Sequence, residues 1–485
     1  MSKNSKLKLS ILLLMTLCIA FQHNPCFSRT KTLNPEEVEN LRLLGPNNIP
    51  VKVLVGLDSS NPGNQKFVSD LIKLVEKINT TENLAEIDEV IKVHVVPSAY
   101  DLKTNFEEIK KTVNEQTLKK YVEFNRSITI NGDIWMQDWG EIGTVKIKNQ
   151  KKPQLMVLDS NRGRSDMVKL PAILSHFWNS YLMKNPSTSR SCGDYGGNIE
   201  VTGDNVLIIG NTSTPQLQDF FKTSGYKNNH IVVETDWLLV GHCDEYLSII
   251  PNKNTESGYT IVKADPLLGL KLIKETSELS LKTIPIDYYA REVLEIHNYL
   301  NDKNIPIQLG TREIQDYKKD FTPSKPLPEG MSLRLSVVEN EASEKYQMAE
   351  NFVQQNIALA KVIDSNIEAV CKKITEYTGN KNHSIVSFPV MYHKKGSRFI
   401  SYLPGVVNQL VLRQNLVIPD PKVASFRRYI YDAAKTAGFK VHFLDNMLYH
   451  TRDGEIHCGT NVLRHPNKYI VKPKFLPAEC DLPAK

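Results

Sequence analysis

The chain has 485 residues, enough for one large domain or two to three ordinary ones, and its 41% hydrophobic and 24% charged content is that of a folded globular protein. Its 60 basic and 54 acidic residues leave a formal charge of only +6, too small and too scattered to suggest a nucleic-acid partner. Phosphate-loop, zinc-protease and calcium-hand signatures are absent from the sequence.

The first 28 residues read as a secretory signal peptide. Lys3, Lys6 and Lys8 precede an apolar run from Leu9 to Phe21, and the small residues Cys26 and Ser28 are spaced for cleavage after Ser28. The run is too short to span a bilayer comfortably. The expectation is a secreted protein without stable membrane insertion, with a short lead over 29–50 and one catalytic domain over 51–485. Cleavage removes Cys18 and Cys26 and leaves Cys192, Cys243, Cys371, Cys458 and Cys480. An odd number of cysteines leaves at least one free thiol in an oxidising compartment. Asn79, Asn125, Asn211 and Asn382 stand in glycosylation sequons.

From residue 51, apolar strands alternate with helices. Val51–Leu57 and Val90–Val96 read as strands, with Phe67–Ile78 between them at helical spacing. Leu155–Leu158, Val206–Ile209, His230–Val233, Leu247–Ile250 and Thr260–Val262 are further short strands. Pro171–Leu182, Pro266–Thr276, Tyr288–Leu300 and Asp420–Ala437 read as helices. Glu339–Tyr377 reads as two helices broken near Val362–Asp364, and 321–328 as a turn-rich loop. The fold class is therefore α/β, and the pattern alone leaves open sheet, barrel and propeller as alternatives.

Four segments place polar groups where buried strands should be apolar: Trp135–Glu141, Gly196–Val201, Asp236–Glu245 and His457–Val462. Singly, each has an ordinary reading as a turn residue, a satisfied core histidine or a small buried thiol. Jointly they supply a thiol at Cys458, an imidazole at His242, and carboxylates at Asp138 and Asp244. A guanidinium is planar, always charged and rich in donors, so two carboxylates can bind it and neutralise it. His242 and Asp244 share a face if they lie on a strand. The imidazole can then protonate a leaving amine and later activate water, while nearby cations lower the thiol pKa so that the Cys458 thiolate can attack the guanidinium carbon.

These segments, in this chain order, resemble the catalytic domain of the protein-arginine deiminases. The resemblance implies a five-fold pseudosymmetric α/β propeller of ββαβ-type units from about residue 51 to the C-terminus. It implies guanidinium binding by Asp138 and Asp244, acid–base work by His242 and a nucleophilic Cys458. Trp135 and Val240 would wall the substrate's aliphatic stem. Asp159-Ser160-Asn161-Arg162-Gly163-Arg164 resembles a family motif with two arginines, Arg162 and Arg164. The second contacts a peptide carbonyl, which implies arginine-containing proteins or peptides as substrates. Arg452 matches an arginine at the site mouth.

The resemblance also implies calcium. One family site maps to Gln137, Glu141 and Glu200 with the backbone of Gly196 and Ile199, an all-oxygen set suited to Ca2+. A second would use Asp159 and Ser160, but Trp139 and Gly163 stand where the family has an acid and an asparagine. The family's N-terminal immunoglobulin-like domains have no counterpart here. The competing readings are deimination of free arginine or agmatine, a metal-binding protein using His242, Cys243, Asp244, His457 and Cys458, and a catalytically dead binding module. Neighbouring residues on a strand point to opposite faces, which argues against Cys243 and Asp244 sharing a metal.

Overall fold

A computed structural model of the chain describes residues 30–82, 90–98, 107–125, 129–307, 309 and 346–474. The expected signal peptide over 1–28, the turn-rich stretch 321–328 and Cys480 lie outside these residues. No helix among the described residues is long and apolar enough to cross a membrane.

The strands are β1 (Thr32–Leu33), β2 (Val38–Leu43), β3 (Asn48–Leu57), β4 (Lys92–Pro97), β5 (Val122–Phe124), β6 (Gly140–Ile147), β7 (Gln154–Asp159), β8 (Tyr181–Met183), β9 (Ile199–Val201) and β10 (Leu207–Gly210). They continue with β11 (His230–Val233), β12 (Leu247–Pro251), β13 (Tyr259–Asp265), β14 (Ile385–Pro389), β15 (Tyr392–Lys395), β16 (Arg398–Ser401), β17 (Leu410–Leu412), β18 (Asn415–Pro419), β19 (Lys440–Leu444) and β20 (Thr460–Tyr469). The helices used below are α1 (Pro62–Thr81), α2 (Leu170–Phe177), α3 (Pro215–Thr223), α4 (Pro266–Glu275), α5 (Asp287–Asp302), α6 (Gln347–Thr378) and α7 (Ala424–Thr436).

One connectivity recurs five times: two antiparallel strands, a helical crossover, and a third strand parallel to the second. It is made by β6–β7–α2–β8, β9–β10–α3–β11 and β12–β13–β14, whose crossover holds α4, α5 and α6. It recurs in β17–β18–α7–β19 and in β20–β3–α1–β4. The last unit joins the C-terminal strand to the N-terminal one, with Thr460 opposite Val55 and Asn461 opposite Leu54. β3 lies between β20 and β4, which explains why Val53, Leu54, Val55 and Leu57 are all fully buried rather than alternating. Its crossover helix α1 starts at Asn61, whose side chain accepts the Gly63 and Asn64 N–H groups, and Pro62 fills the first helical position. Phe67, Val68, Leu71, Ile72, Val75 and Ile78 form its buried stripe.

This topology places the polar segments. Each unit's first strand is reached through a turn, and the turns before β6, β9, β12 and β20 hold Trp135–Trp139, Gly196–Asn198, Cys243–Glu245 and His457–Gly459. The turn before β17 holds Gly405–Gln409.

Several expectations are corrected. The 29–50 lead is part of the domain: β1 pairs with β8, and β2 with β6, because Val38, Leu41 and Leu43 have an apolar face to bury. Residues 236–242 form no strand, and His242 and Asp244 sit on a short 3-10 turn, so strand alternation does not orient them. Pro171–Leu182 is helical only to Phe177, since Asn179 turns at φ 48° and Tyr181–Met183 join a sheet. α6 runs unbroken from Gln347 to Thr378 and ends at Gly379 in the left-handed region, φ 75°. No Gly or Pro interrupts it, and Asp364, in the expected break, pairs with Lys263 on β13. The sequon asparagines Asn79 and Asn125 are 2% exposed, and their amides serve internal hydrogen bonds with Ile91 and His94.

Asp204 is fully buried, with one oxygen bonded to Tyr259 at 2.9 Å and the other without a hydrogen-bond partner among the described residues. Burial raises its carboxyl to about 6. An acid raised on folding favours the folded state below its unfolded pKa, and that contribution is lost as pH rises through the folded value. Asp204→Asn should therefore remove a stability loss of up to about 3 kcal/mol between roughly pH 4 and 6. Denaturant midpoints across that range, with a flatter profile for the variant, check this.

Candidate active site

The turns before β6, β12 and β20 bring Asp138, His242, Asp244 and Cys458 together. Cys458 Sγ lies 3.7 Å from Asp244 Oδ2, and His242 Nδ1 lies 4.0 Å from Asp138 Oδ1. All four are buried, at 9% exposure for Asp138 and 1% for both His242 and Asp244. Gly197 permits this crowding. A Cβ there would stand 2.6 Å from His242 Nδ1 and 3.1 Å from Asp244 Oδ2, so only glycine leaves the two side chains in place.

The imidazole is held from behind. His242 Nε2 is 2.9 Å from the Cys192 carbonyl, which makes Nε2 the donor there and turns Nδ1 toward Asp138. Its backbone N–H and that of Gly241 donate to Glu245 Oε1. Asp244 Oδ2 accepts from His457 Nδ1 at 2.8 Å. His242 Nδ1 and Asp244 Oδ1 are buried without a hydrogen-bond partner among the described residues. Buried polar atoms without partners are rare in folded proteins, and with Nε2 as the ring's donor both of these atoms are acceptors, so the site points to a bound group rich in donors.

Burial, reinforced by the charges of Asp244 and Asp138, pushes the Cys458 thiol well above its ordinary value. Burial also raises the Asp138 carboxyl, against the pull of Arg162 and His242. Without an added cation the Cys458 thiol stays protonated. A cation between the thiol and these carboxylates would reverse the electrostatics and favour the thiolate.

Arg162 already supplies one cation. It is 2% exposed and donates to Asp133 through Nε at 3.1 Å and Nη2 at 3.0 Å. Its Nη1 donates to Asp138, and the guanidinium lies 4.9 Å from the Tyr195 ring centroid. Asp138 thus binds a guanidinium in this structure, from the protein itself. Trp135 is half-buried and meets Tyr449 edge-on at 5.6 Å, Val240 is half-buried, and Arg164 and Arg452 are exposed.

The calcium ligands implied by the resemblance divide into two cases. Glu141 and Glu200 line a cavity of about 60 Å³ with Gln137, Ile199, His457 and Arg464. Burial raises the Glu141 carboxyl well above its usual range, the neighbouring Glu200 charge adds to this, and burial raises Glu200 to about 7. A Cβ on Gly196 would meet the Gln137 carbonyl at 2.4 Å, Glu141 Oε1 at 2.5 Å and the Gly140 carbonyl at 3.0 Å, so oxygens converge on that point. Two buried, mutually repelling carboxylates with converging carbonyls fit a hard divalent cation. Gln137 Nε2, however, donates to Glu141 Oε1 at 2.8 Å, so its amide would have to turn its oxygen inward. In the second set, Asp159 accepts the Asn161 N–H at 2.8 Å, and the Ser160 hydroxyl donates to the Asp138 carbonyl at 2.6 Å. No group of three or more His, Cys, Asp or Glu positioned to hold a metal occurs among the described residues, and the Cys243 thiol lies against the Gly197 carbonyl at 3.7 Å.

Sequence reasoning missed three contributors. Asp133 anchors Arg162, Glu245 clamps the His242 turn, and Asn408 contacts Cys458 Sγ at 3.2 Å. Asn408 lies in the fifth leading turn, where Asn408-Gln409 stands directly before the apolar Leu410–Leu412. The same signal marked the other four segments.

The family model and the curated relatives agree on the family. A family model described as "Protein-arginine deiminase (PAD)" matches residues 75–470. Protein-arginine deiminase type-1 of Mus musculus is 26% identical over 361 residues, covering 69% of this chain and 46% of that protein. Type-4 of Homo sapiens is 24% identical over 362 residues, covering 69% and 47%. The chain thus spans about half the length of these relatives. A solved C. jejuni agmatine deiminase aligns at 12% identity with a TM-score of 0.46, over 88% of this chain and 96% of that one. The match across residues 75–470 places the chain in the protein-arginine deiminase family.

Proposed function

We propose that this protein hydrolyses the guanidinium of peptidyl-arginine to a ureido group, releasing ammonia, with Cys458 as nucleophile. The observation that carries the reading is the buried set of Cys458, His242 Nδ1 and Asp244 Oδ1 beside Asp138, a carboxylate already holding a guanidinium. Arg162 can release Asp138 while keeping both bonds to Asp133, which frees Asp138 for a substrate. Asp138 and Asp244 then accept the substrate's N–H groups, and its charge offsets the repulsion that holds the thiol protonated.

The thiolate adds to the guanidinium carbon, forming a C–S bond. Protonated His242 gives a proton to one amino group, the C–N bond breaks and ammonia leaves, so that a thiouronium remains on Cys458. Neutral His242 next takes a proton from water as its oxygen attacks the same carbon. The C–S bond breaks, the thiolate is regenerated, the hydroxyl proton passes to solvent, and the neutral ureido product departs. Arg164 and Arg452 are exposed, and contact of these side chains with a peptide backbone would favour peptidyl over free arginine.

Calcium bound near Glu141 and Glu200 would supply fixed positive charge behind the turn that carries Asp138. The five ββαβ connections, with leading turns that share one site, favour a five-fold pseudosymmetric propeller. The basic, apolar and small-residue layout of 1–28 supports secretion.

On this reading, a doubly capped arginine peptide yields citrulline faster than free arginine, and Cys458→Ser abolishes the product while retaining the wild-type circular dichroism spectrum. Turnover of free arginine with an inert capped peptide would exclude the peptidyl reading. Chelation should lower citrulline formation, calcium should restore it, and Glu200→Gln should move the calcium titration to higher concentration. Activity indifferent to chelator removes the calcium assignment. Arg162→Ala leaves Asp133 and Asp138 buried without their partner and should cost about 3–5 kcal/mol in denaturant unfolding.

A further inference from the structure

The fifth leading turn holds a polar group that the mechanism above does not use. Asn408 is 2% exposed and bonds to two other leading turns, those before β12 and β20. Its Oδ1 accepts the Cys458 N–H at 3.1 Å, and its Nδ2 lies 3.2 Å from Cys458 Sγ and 3.3 Å from the Asp244 carbonyl. Its backbone carbonyl accepts the His457 N–H at 3.2 Å. The amide cannot be flipped without setting two N–H groups against each other at Cys458, so the nitrogen faces the sulfur. Both Nδ2 hydrogens and the Oδ1 acceptor are thereby used.

The turn itself is fixed. Glu455 Oε1 accepts the Gly405 N–H at 2.7 Å and the Ser401 hydroxyl at 3.3 Å, and it is paired with His450 Nδ1 at 2.8 Å. Glu455 lies three residues before Cys458, so one carboxylate ties the Asn408 turn to the nucleophile's turn.

We infer that Asn408 is a catalytic residue that donates a hydrogen bond from Nδ2 to the Cys458 thiolate. The inference rests on the reading of Cys458 as nucleophile. The charged groups facing the sulfur are mostly wrong for an anion: Asp244, Asp138 and Glu245 all oppose ionisation, and His457 is engaged with Asp244. The substrate cation offsets these charges only while it is bound and intact. When ammonia and then the ureido product leave, the sulfur must again hold negative charge among carboxylates. A fixed neutral donor serves at both ends of the cycle and brings no positive charge that would repel a guanidinium. A hydrogen bond to a charged acceptor shifts such an equilibrium by roughly ten- to a hundredfold, or about one to two pH units.

The test is the pH dependence of iodoacetamide alkylation at Cys458, read by peptide mass spectrometry, in wild type, Asn408→Asp and Asn408→Ala. Asn408→Asp keeps the acceptor for the Cys458 N–H but adds a negative charge that itself raises the midpoint, so Asn408→Ala, which removes the donor without adding charge, carries the comparison. Citrulline kinetics are measured in parallel. The alkylation midpoint should rise by about one unit or more in both variants, and kcat should fall roughly ten- to a hundredfold with KM within about threefold. A folded variant with an unchanged midpoint overturns the inference. If neither variant retains a native near-ultraviolet spectrum, Asn408 is a packing residue and the inference is equally overturned. Midpoint shifts in a protein that makes no citrulline would uphold the hydrogen bond and sink the nucleophile reading instead.

Discussion

Two carboxylates, Asp138 and Asp244, are buried on either side of a buried thiol, and the surrounding structure is organised around that cost. Ionised groups out of water need partners, and here the partners are supplied only in part. Asp138 has Arg162, which Asp133 holds in turn; Asp244 has His457 on one oxygen and no hydrogen-bond partner among the described residues on the other. The shortfall is one planar cation with several N–H donors. On the proposed reading, the arrangement selects its ligand by charge and couples activation of Cys458 to ligand binding.

Closing the chain on itself makes the crowding possible. Cys458 sits near residue 460 and its partner strand near residue 50, so β20 paired with β3 spans nearly the whole sequence. The leading turns then bond to one another. The Gln137 N–H donates to the Cys458 carbonyl, Asn408 bridges Cys458 and Asp244, and the Cys243 N–H donates to Asn198. Each catalytic group is thus fixed by a neighbouring unit as well as by its own strand, which suits a site that needs precise distances from loop residues.

Much of this was legible in the sequence because chemistry-bearing residues stood out against apolar strands. Asp138, His242, Asp244 and Cys458 were singled out on that contrast, and the α/β alternation followed from periodicity. What failed was local. The His242–Asp244 segment looked like a strand because Leu238-Leu239-Val240 is apolar, yet those residues serve a turn that packs Leu238 beside Phe399. The helix from Gln347 was expected to break at Asp364 because Lys263, its partner, is a hundred residues away in the chain. Asn408 was passed over since a single amide in Val406-Val407-Asn408-Gln409 carries no charge, and its partner at Cys458 is visible only once the turns before β17 and β20 meet. The pairing of Arg162 with Asp138 is likewise a property of the folded chain, because nothing in the spacing of the two residues sets them in contact.

The most direct test of the account is to quench the protein during turnover of an arginine peptide and weigh the peptide containing Cys458. The account predicts a transient mass increase equal to the substrate less ammonia, confined to Cys458 and absent in Cys458→Ser. Citrulline formation that continues in Cys458→Ser, or an adduct on any other residue during productive turnover, would contradict it.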